Sequence, residues 1–296
     1  MSLTKAFEEH NIKFSLKADT SKISSIRAGG IAEYIAFPSS KEQLMYAVRA
    51  AKAASYKYKI IGKATNVFFS DNGFDGLIIS TSDMKNMSLE GNGFVADAGI
   101  SLPFLIRSAA RSGFRIFPHL SGIPGSLGGA VRNNAGAYGK EISDIFEWGE
   151  FYSAEADSVL TLNGCELDFS YRNSHLTSTP LVLLSCKIRA DEACAADVLK
   201  EISYYSELRL QKQPQEPSLG SFFKRAGEYP ASKLIDECGL KGFSVGGASI
   251  SAKHAGFIIN NGAATARDIN ALADIARDAV FKKYGILLAR EAEFIE

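Results

Sequence analysis

Six glycines fall within residues 120–139, LSGIPGSLGGAVRNNAGAYG, and no long regular helix or strand can run through a stretch of that kind. Glycine admits positive φ and lets backbone amides approach an anion without a Cβ in the way, as a loop cradling a diphosphate requires. A series of tight turns is the plain alternative. Two features favour the ligand: the loop is long, and it opens on 127–131, which reads as a helix whose N-terminus would stabilise a phosphate. The spacing Gly122-x-x-Gly125-x-x-Gly128 is not GxGxxG, and no GxxxxGK[ST] occurs, so a dinucleotide bound here would sit outside a Rossmann fold. A second loop, Gly62-Lys-Ala-Thr-Asn66, directly follows a strand-like segment. It is weak evidence alone, but the two loops together suit a cofactor that carries a diphosphate.

Helix-like and strand-like segments alternate around these loops without an internal repeat, which places the chain in the α+β class. The spacing predicts a helix over 40–55, with Ser39 and Glu42 at capping-box distance and Leu44, Ala47, Val48 and Ala51 on one apolar face. Short strands at 59–61 and 76–80 follow, then a helix over 102–112 with Ser101 as cap and Gly113 as stop. Between 145 and 190 the pattern turns to strands, 146–153, 158–162 and 181–188, the last apolar enough to be sheltered on both faces. An antiparallel unit is expected there. A helix over 195–210 precedes Gln213-Pro-Gln-Glu-Pro217, which breaks regular structure and marks the best domain boundary. Beyond it come a helix over 231–238 stopped by Gly239, a strand over 256–260 and a long helix over 266–284. That helix has Thr265 as cap, Asp268 in its first turn, Lys282 and Lys283 in its last and Gly285 after it, all in agreement with the helix dipole.

Composition narrows the function further. With 296 residues, 46% of them hydrophobic, the chain can bury a large core in one large domain or two to three smaller ones. Its 33 basic side chains balance 33 acidic ones, so no counterion-release drive points to nucleic acid as a partner. No apolar run approaches a membrane span, and MSLTKAFEEHNIKF lacks the apolar segment of a signal peptide. Four cysteines without a CxxC pair read as buried thiols in a reducing compartment. The histidines His10, His119, His175 and His254 are scattered, with neither HExxH nor paired cysteines, so each reads as surface or structural and no metal is expected. The absence of GxSxG disfavours a hydrolase of that type.

The segment LSGIPGSLGGAVRNNAGAYGKEI (120–142) resembles the flavin-binding signature of the UDP-N-acetylenolpyruvoylglucosamine reductase (UDP-N-acetylmuramate dehydrogenase) family. IRAGGIAEYIAFP (26–38), NVFFSDNGFDGLII (66–79), FSYRNSHL (169–176), LRLQKQPQEPSLGSFFKR (208–225), KLIDECGLKGFSVGGASISAKHAGFIINNGAATARDI (233–269) and LLAREAEFI (287–295) follow in the family's order and spacing, over nearly the whole chain. The short distance from Arg172 to Leu208 resembles the compact type, which lacks an extra tyrosine loop. The resemblance implies FAD held in a vanillyl-alcohol-oxidase-type region of two subdomains (about 1–82 and 83–205, together 1–205) and a C-terminal α+β substrate-binding domain (206–296). It implies a cytoplasmic bacterial enzyme of peptidoglycan synthesis, and so of cell shape and division. NADPH would reduce the flavin, which would pass hydride to the enolpyruvyl ether of UDP-N-acetylglucosamine. No obligate protein partner is expected; the chain reads as a monomer.

The resemblance also implies roles for particular residues. Hydride addition drives negative charge onto the substrate carboxylate, and Arg172 matches the family's fixed cation, whose fork grips a carboxylate better than a lysine would. Ser221 matches the proton donor, and Glu291 the glutamate across the carboxylate from Arg172, protonated during the reduction or neutralised by Arg172. The flavin positions are Gly62, Lys63, Ala64, Thr65, Asn66 and Val67 in one loop, and Ser121, Gly122, Ile123, Pro124, Gly125, Ser126, Gly128, Gly129, Asn134 and Gly136 in the other. The substrate positions are Tyr171, Arg172, Lys212, Gly220, Ser221, Arg225, Tyr229 and Glu291. Each catalytic assignment has an ordinary alternative: Arg172 as a surface ion-pair residue, Ser221 as a helix cap, Glu291 as a solvated charge on an edge strand, and Lys212 as a solvated side chain.

This sequence departs from the family at Ala64 and Thr65, where glycine and serine are usual, and at Ala226 and Ser232. If residue 64 adopts positive φ, alanine there carries about 1 kcal/mol of strain or more. Two other readings stand beside the reductase. One is a flavin-dependent sugar or alcohol oxidase of the same fold, which needs a base for substrate deprotonation. The other is a nucleotide-sugar-binding module without turnover, supported only by the altered 62–66 loop.

Overall fold

The computed structural model describes residues 2–296. The chain forms two compact units. The first collects the residues up to Leu16, Tyr34–Lys63 and Gly76–Leu208; the second collects Lys17–Glu33, Ala64–Asp75 and Arg209–Glu296. Boundaries drawn along the chain at 205 and 206 omit the two early excursions into the second unit, because no local pattern announces them.

A four-stranded sheet orders Lys13–Asp19, Ile31–Phe37, Phe74–Ser80 and Tyr58–Ile61, and the last two run parallel, with Tyr58 opposite Leu77 and Ile61 opposite Ser80. The helix Lys41–Ala53 supplies Leu44, Ala47, Val48 and Ala51 to a core shared with Leu77, Ile79, Val182 and Leu184. Its cap lies one residue later than the sequence spacing predicts. Ser40, in extended backbone, accepts from the Gln43 amide, while Gln43 Oε1 accepts from both the amide and the hydroxyl of Ser39.

The second sheet of the first unit is antiparallel throughout, in the order Ser158–Asn163, Phe146–Ser153, Leu181–Arg189, Gly93–Asp97 and Met87–Glu90. Leu181–Arg189 is its middle strand, buried from Val182 to Cys186, which accounts for the unbroken apolar run read there. The helix Leu102–Arg111 packs Leu105, Ile106 and Ala109 into the same core as Phe151, Cys186 and Ile188. Ser101 stands at its N-cap position without a side-chain hydrogen bond. The Leu102 amide is satisfied by the Gly125 carbonyl, and Pro103 in the first turn needs no acceptor.

The second unit carries an antiparallel sheet in the order Ser218–Ser221, Phe257–Asn260, Ala248–Ile250 and Ser244–Val245. The helix Ala266–Tyr284 lays Ile269, Leu272, Ala276 and Val280 into a core with Ile250, Ile258 and Phe222. Thr265 Oγ1 accepts from the Asp268 amide, and the Asp268 carboxylate accepts from the Thr265 and Gly247 amides. Those amides hold the Asp268 carboxyl below the usual carboxylate range. Gly285 closes the helix at φ 70°.

Thr265→Ala removes one half of this reciprocal cap and is expected to lower stability by about 1 kcal/mol. Urea unfolding followed by circular dichroism would show a lower midpoint at unchanged slope; an unshifted midpoint would mean the cap contributes nothing.

Candidate active site

In the first unit both glycine loops converge. Gly62 leaves the parallel strand Tyr58–Ile61, where Ser80 Oγ donates to its carbonyl (3.2 Å), and a Cβ at this position would collide with the Ser126 hydroxyl. Only glycine permits that approach. Ser126 caps the short helix Leu127–Arg132 by accepting from the Gly129 amide, while Leu127 and Gly128 donate to the carbonyls of Ile100 (2.9 Å) and Ala98 (2.7 Å). The first three amides of this helix are thus engaged within the protein. The expectation that they cradle a phosphate is corrected: the dipole remains, but these donors do not.

A cavity of about 330 Å³ opens beside the loops, lined by apolar groups such as Ile60 and Leu181 together with Lys59, Ser126, Arg132 and Thr177 among others. That volume is in the range of small-molecule sites. Ser121, 3% exposed, turns its hydroxyl inward with no protein partner. A buried donor of that kind, a cavity of this size and two glycine-bearing loops in contact fit a diphosphate-bearing cofactor such as FAD.

Asn134 braces the glycine segment. It is 1% exposed at φ 41°, and its side chain is occupied: Nδ2 donates to Glu141 Oε2 (2.6 Å) and to the Ser170 carbonyl (3.2 Å), and Oδ1 accepts from the Ser143 amide (3.0 Å). It fastens the glycine segment to the turn that carries Tyr171 and Arg172. Ser170 and Asn173 close that turn with reciprocal amide-to-carbonyl bonds of 3.1 Å, which places Arg172 at φ 52°. Arg172 Nη2 donates to the Gly136 carbonyl (3.0 Å), and its guanidinium lies 5.3 Å from the Tyr171 ring centre. That bond anchors the cation to the backbone beside the glycine loop.

His119 is a residue that the sequence reading dismissed. It is 8% exposed among Phe117, Tyr138 and Tyr205, and its Nε2 is buried without a partner. A lone histidine next to a glycine loop carries no spacing signal that would have singled it out. Burial holds its imidazole below the ordinary value, with the Lys140 charge acting in the same direction and Glu201 against it.

The 62–66 loop crosses into the second unit between Lys63 and Ala64. Ala64 adopts φ 47°, the strained conformation that alanine disfavours, and its carbonyl accepts from the Ser25 amide (3.0 Å). Ser24 Oγ donates to the Val67 carbonyl (2.8 Å), and Val67–Phe69 pairs in parallel with Glu293–Ile295. Asn66 Nδ2 donates to the Glu291 carbonyl (2.9 Å), and the Asn66 carbonyl accepts from the Glu293 amide (2.9 Å). The Glu291 amide in turn donates to the Phe222 carbonyl (2.9 Å). Ser221 and Glu291 are therefore laced into one segment with Asn66.

Ser221 ends the strand Ser218–Ser221, so it is no helix cap, and its side chain is exposed after Gly220 at φ 75°. Glu291 is half-buried and precedes the strand Glu293–Ile295 rather than lying on its edge. Lys212 ends the helix Ala195–Lys212 and is exposed. Arg225 donates to the Glu228 carbonyl (2.9 Å) across the turn that presents Tyr229, which is exposed. Among the described residues no cluster of His, Cys, Asp and Glu could hold a metal ion, and no helix is long and apolar enough to cross a membrane.

Comparison with known proteins follows this geometry. Residues 32–158 match an FAD-binding domain family, and residues 212–295 match the C-terminal domain of UDP-N-acetylenolpyruvoylglucosamine reductase. The reductase of Caldicellulosiruptor saccharolyticus is 39% identical over all of this chain and 96% of its own length. That of Pediococcus pentosaceus is 39% identical over 93% of this chain and 92% of its own. The solved reductase of Thermus caldophilus superposes with a TM-score of 0.81 at 29% identity, covering 96% of this chain and 99% of that one. Glucooligosaccharide oxidase from Acremonium strictum shares only the fold, with a TM-score of 0.51 at 12% identity over 98% of this chain and 60% of its own.

Two outcomes test the site. Ala64→Gly should relieve the left-handed strain and, because glycine is freer when unfolded, raise stability by about 1 kcal/mol or less; a lower melting temperature would contradict the strain. A histidine with a lowered value takes up its proton more readily unfolded than folded, so stability rises with pH up to the ordinary value of about 6.5 and falls as pH drops below it. Melting temperature is therefore expected to fall between pH 7 and pH 5, and less steeply in His119→Phe. Parallel curves for the two proteins would show that His119 does not contribute.

Proposed function

The chain belongs to the UDP-N-acetylenolpyruvoylglucosamine reductase family, an FAD-dependent, NADPH-using oxidoreductase family of peptidoglycan synthesis in the vanillyl-alcohol-oxidase-type fold, and from that premise we propose how its own residues divide the reaction. The substrate is the enolpyruvyl ether of UDP-N-acetylglucosamine. FAD, when bound, supplies hydride chemistry, taking two electrons from NADPH and returning them as hydride to the substrate's terminal methylene carbon.

Residues 62–66 and 121–129 hold the cofactor, with the Ser121 hydroxyl donating to one of its polar atoms. Arg172 binds the substrate carboxylate and offsets the charge that gathers there as the double bond is reduced. Its support is local: the Asn134 bonds and the Gly136 carbonyl keep the guanidinium from swinging freely. A cation fixed in advance needs little reorganisation when the charge develops.

Ser221 Oγ gives its proton to the carbon next to the carboxylate. A serine is a weak acid, but an enolate is basic enough to take the proton at hydrogen-bond distance. Glu291 acts beside it on the same carboxylate end of the substrate. The observation that carries this reading is the bond from the Glu291 amide to the Phe222 carbonyl, which ties the two acids into one segment with the flavin loop. Lys212, Gly220, Tyr171, Arg225 and Tyr229 contact the sugar nucleotide, the cations meeting its diphosphate.

The expectation of four buried thiols is corrected: Cys186 alone is buried, Cys238 is half-buried, and Cys165 and Cys194 are exposed. An oxidase reading has only a shared fold in its favour.

Ser221→Ala should leave reduction of the flavin by NADPH at the parental rate and slow its reoxidation by the enolpyruvyl substrate by about 10² or more, the usual loss for a general acid. Anaerobic stopped-flow at the flavin absorbance measures both steps. Equal slowing of the two would refute the role.

A further inference from the structure

We propose that Arg290 is a positioning residue that keeps Ser221 and Glu291 in register, an inference resting on the reading of those two as the acids of the reaction. Arg290 immediately precedes Glu291. Its Nη1 donates to Asn270 Oδ1 (2.6 Å) and its Nη2 to Asp274 Oδ1 (2.8 Å), two residues one turn apart on the helix Ala266–Tyr284. The same guanidinium stands 6.0 Å from the ring centre of Phe222, the fully buried neighbour of Ser221. One planar group thus ties the long helix, the residue before one acid and the residue after the other. A lysine could pair with Asp274 but could not fork to both acceptors.

The backbone repeats this arrangement. Arg290 faces Phe223 in an antiparallel bridge, the Lys224 amide donates to the Ala289 carbonyl (2.8 Å) and the Glu291 amide to the Phe222 carbonyl (2.9 Å). Segments 222–224 and 289–291 are therefore laced together, and the Arg290 side chain pins the lacing to the helix. Its Nε is buried without a partner, a cost that a purely stabilising residue would shed. Asp274 also meets Arg277 Nη2 at 3.4 Å, so it stays paired when Arg290 is changed.

The consequence is kinetic. A shift of about 1 Å in a reacting group can cost about 10²-fold in rate, so loosening this clamp should act on protonation and spare the hydride transfer from NADPH.

Two variants of the FAD-loaded protein test it. Arg290→Met keeps the stem and removes the fork; flavin reduction by NADPH should stay within about twofold of the parent while reoxidation by the enolpyruvyl substrate slows about tenfold or more. Arg290→Lys should recover part of that loss. In the protein without FAD, amide exchange should quicken in 222–224 and 289–292 and stay unchanged in 244–260. A lower melting temperature with reoxidation at the parental rate, or equal slowing of both half-reactions, overturns the proposal. Ser221→Ala serves as the control. If it leaves reoxidation intact, the acid reading itself fails; if it slows reoxidation and Arg290→Met does not, only the positioning role is lost.

Discussion

Buried backbone groups must be paired, and in the second unit one such pairing organises everything near the chemistry: the Glu291 amide on the Phe222 carbonyl. Phe222 has no freedom to drift. Its ring is fully buried against Phe68 and Phe223, and its amide is engaged by the Gly256 carbonyl. Ser221 inherits its position from Phe222, and Glu291 inherits its own from the same carbonyl. Asn66 then fastens the far side of Glu291 through the side-chain amide, so the 62–66 loop and Glu291 are held together.

The first unit solves a different problem by similar means. Arg172 lies in a two-residue turn with φ 52°, a conformation that its neighbours must impose. The reciprocal Ser170–Asn173 bonds impose it, and Asn134 ties the turn to the glycine segment through the Ser170 carbonyl. Four non-glycine residues of the site motifs, Ala64, Asn134, Tyr138 and Arg172, share positive φ. Asn11, Lys17, Arg27, Ser55, Asp157 and Asp168 share it too, so left-handed backbone is not confined to the site. Ala64 marks the point where this chain departs from its family's usual glycine, and the backbone there keeps the left-handed form regardless.

Much of the architecture was legible locally. The helix Ala266–Tyr284 could be read to the residue, since its cap, first-turn acid, last-turn lysines and closing glycine all act within a turn or two. Leu181–Arg189 was legible as a two-face-buried strand from its apolar run. Long-range pairing was not legible. The parallel ladder of Val67–Phe69 with Glu293–Ile295 joins residues more than two hundred positions apart, and neither segment carries a pattern naming the other. The helix cap at Ser40 was missed by one residue because Ser39 and Ser40 are equally good acceptors, and the choice between them rests on where Gln43 reaches.

The site shows the same division. Resemblance pointed to Arg172, Ser221 and Glu291, but it was silent on what holds them. The reason is physical: a motif preserves the groups that meet a ligand, whereas the groups that hold those in place can be replaced by any side chain of suitable reach. Arg290 illustrates the point. Nothing in its spacing marks it, since a basic residue beside Glu291 and Glu293 reads as a surface charge. Only the fold reveals that Asn270 and Asp274 wait one turn apart at the right distance and that Phe222 offers its ring to the same group. A positioning role for Arg290 would thus follow from tertiary geometry, which no local pattern in the sequence carries.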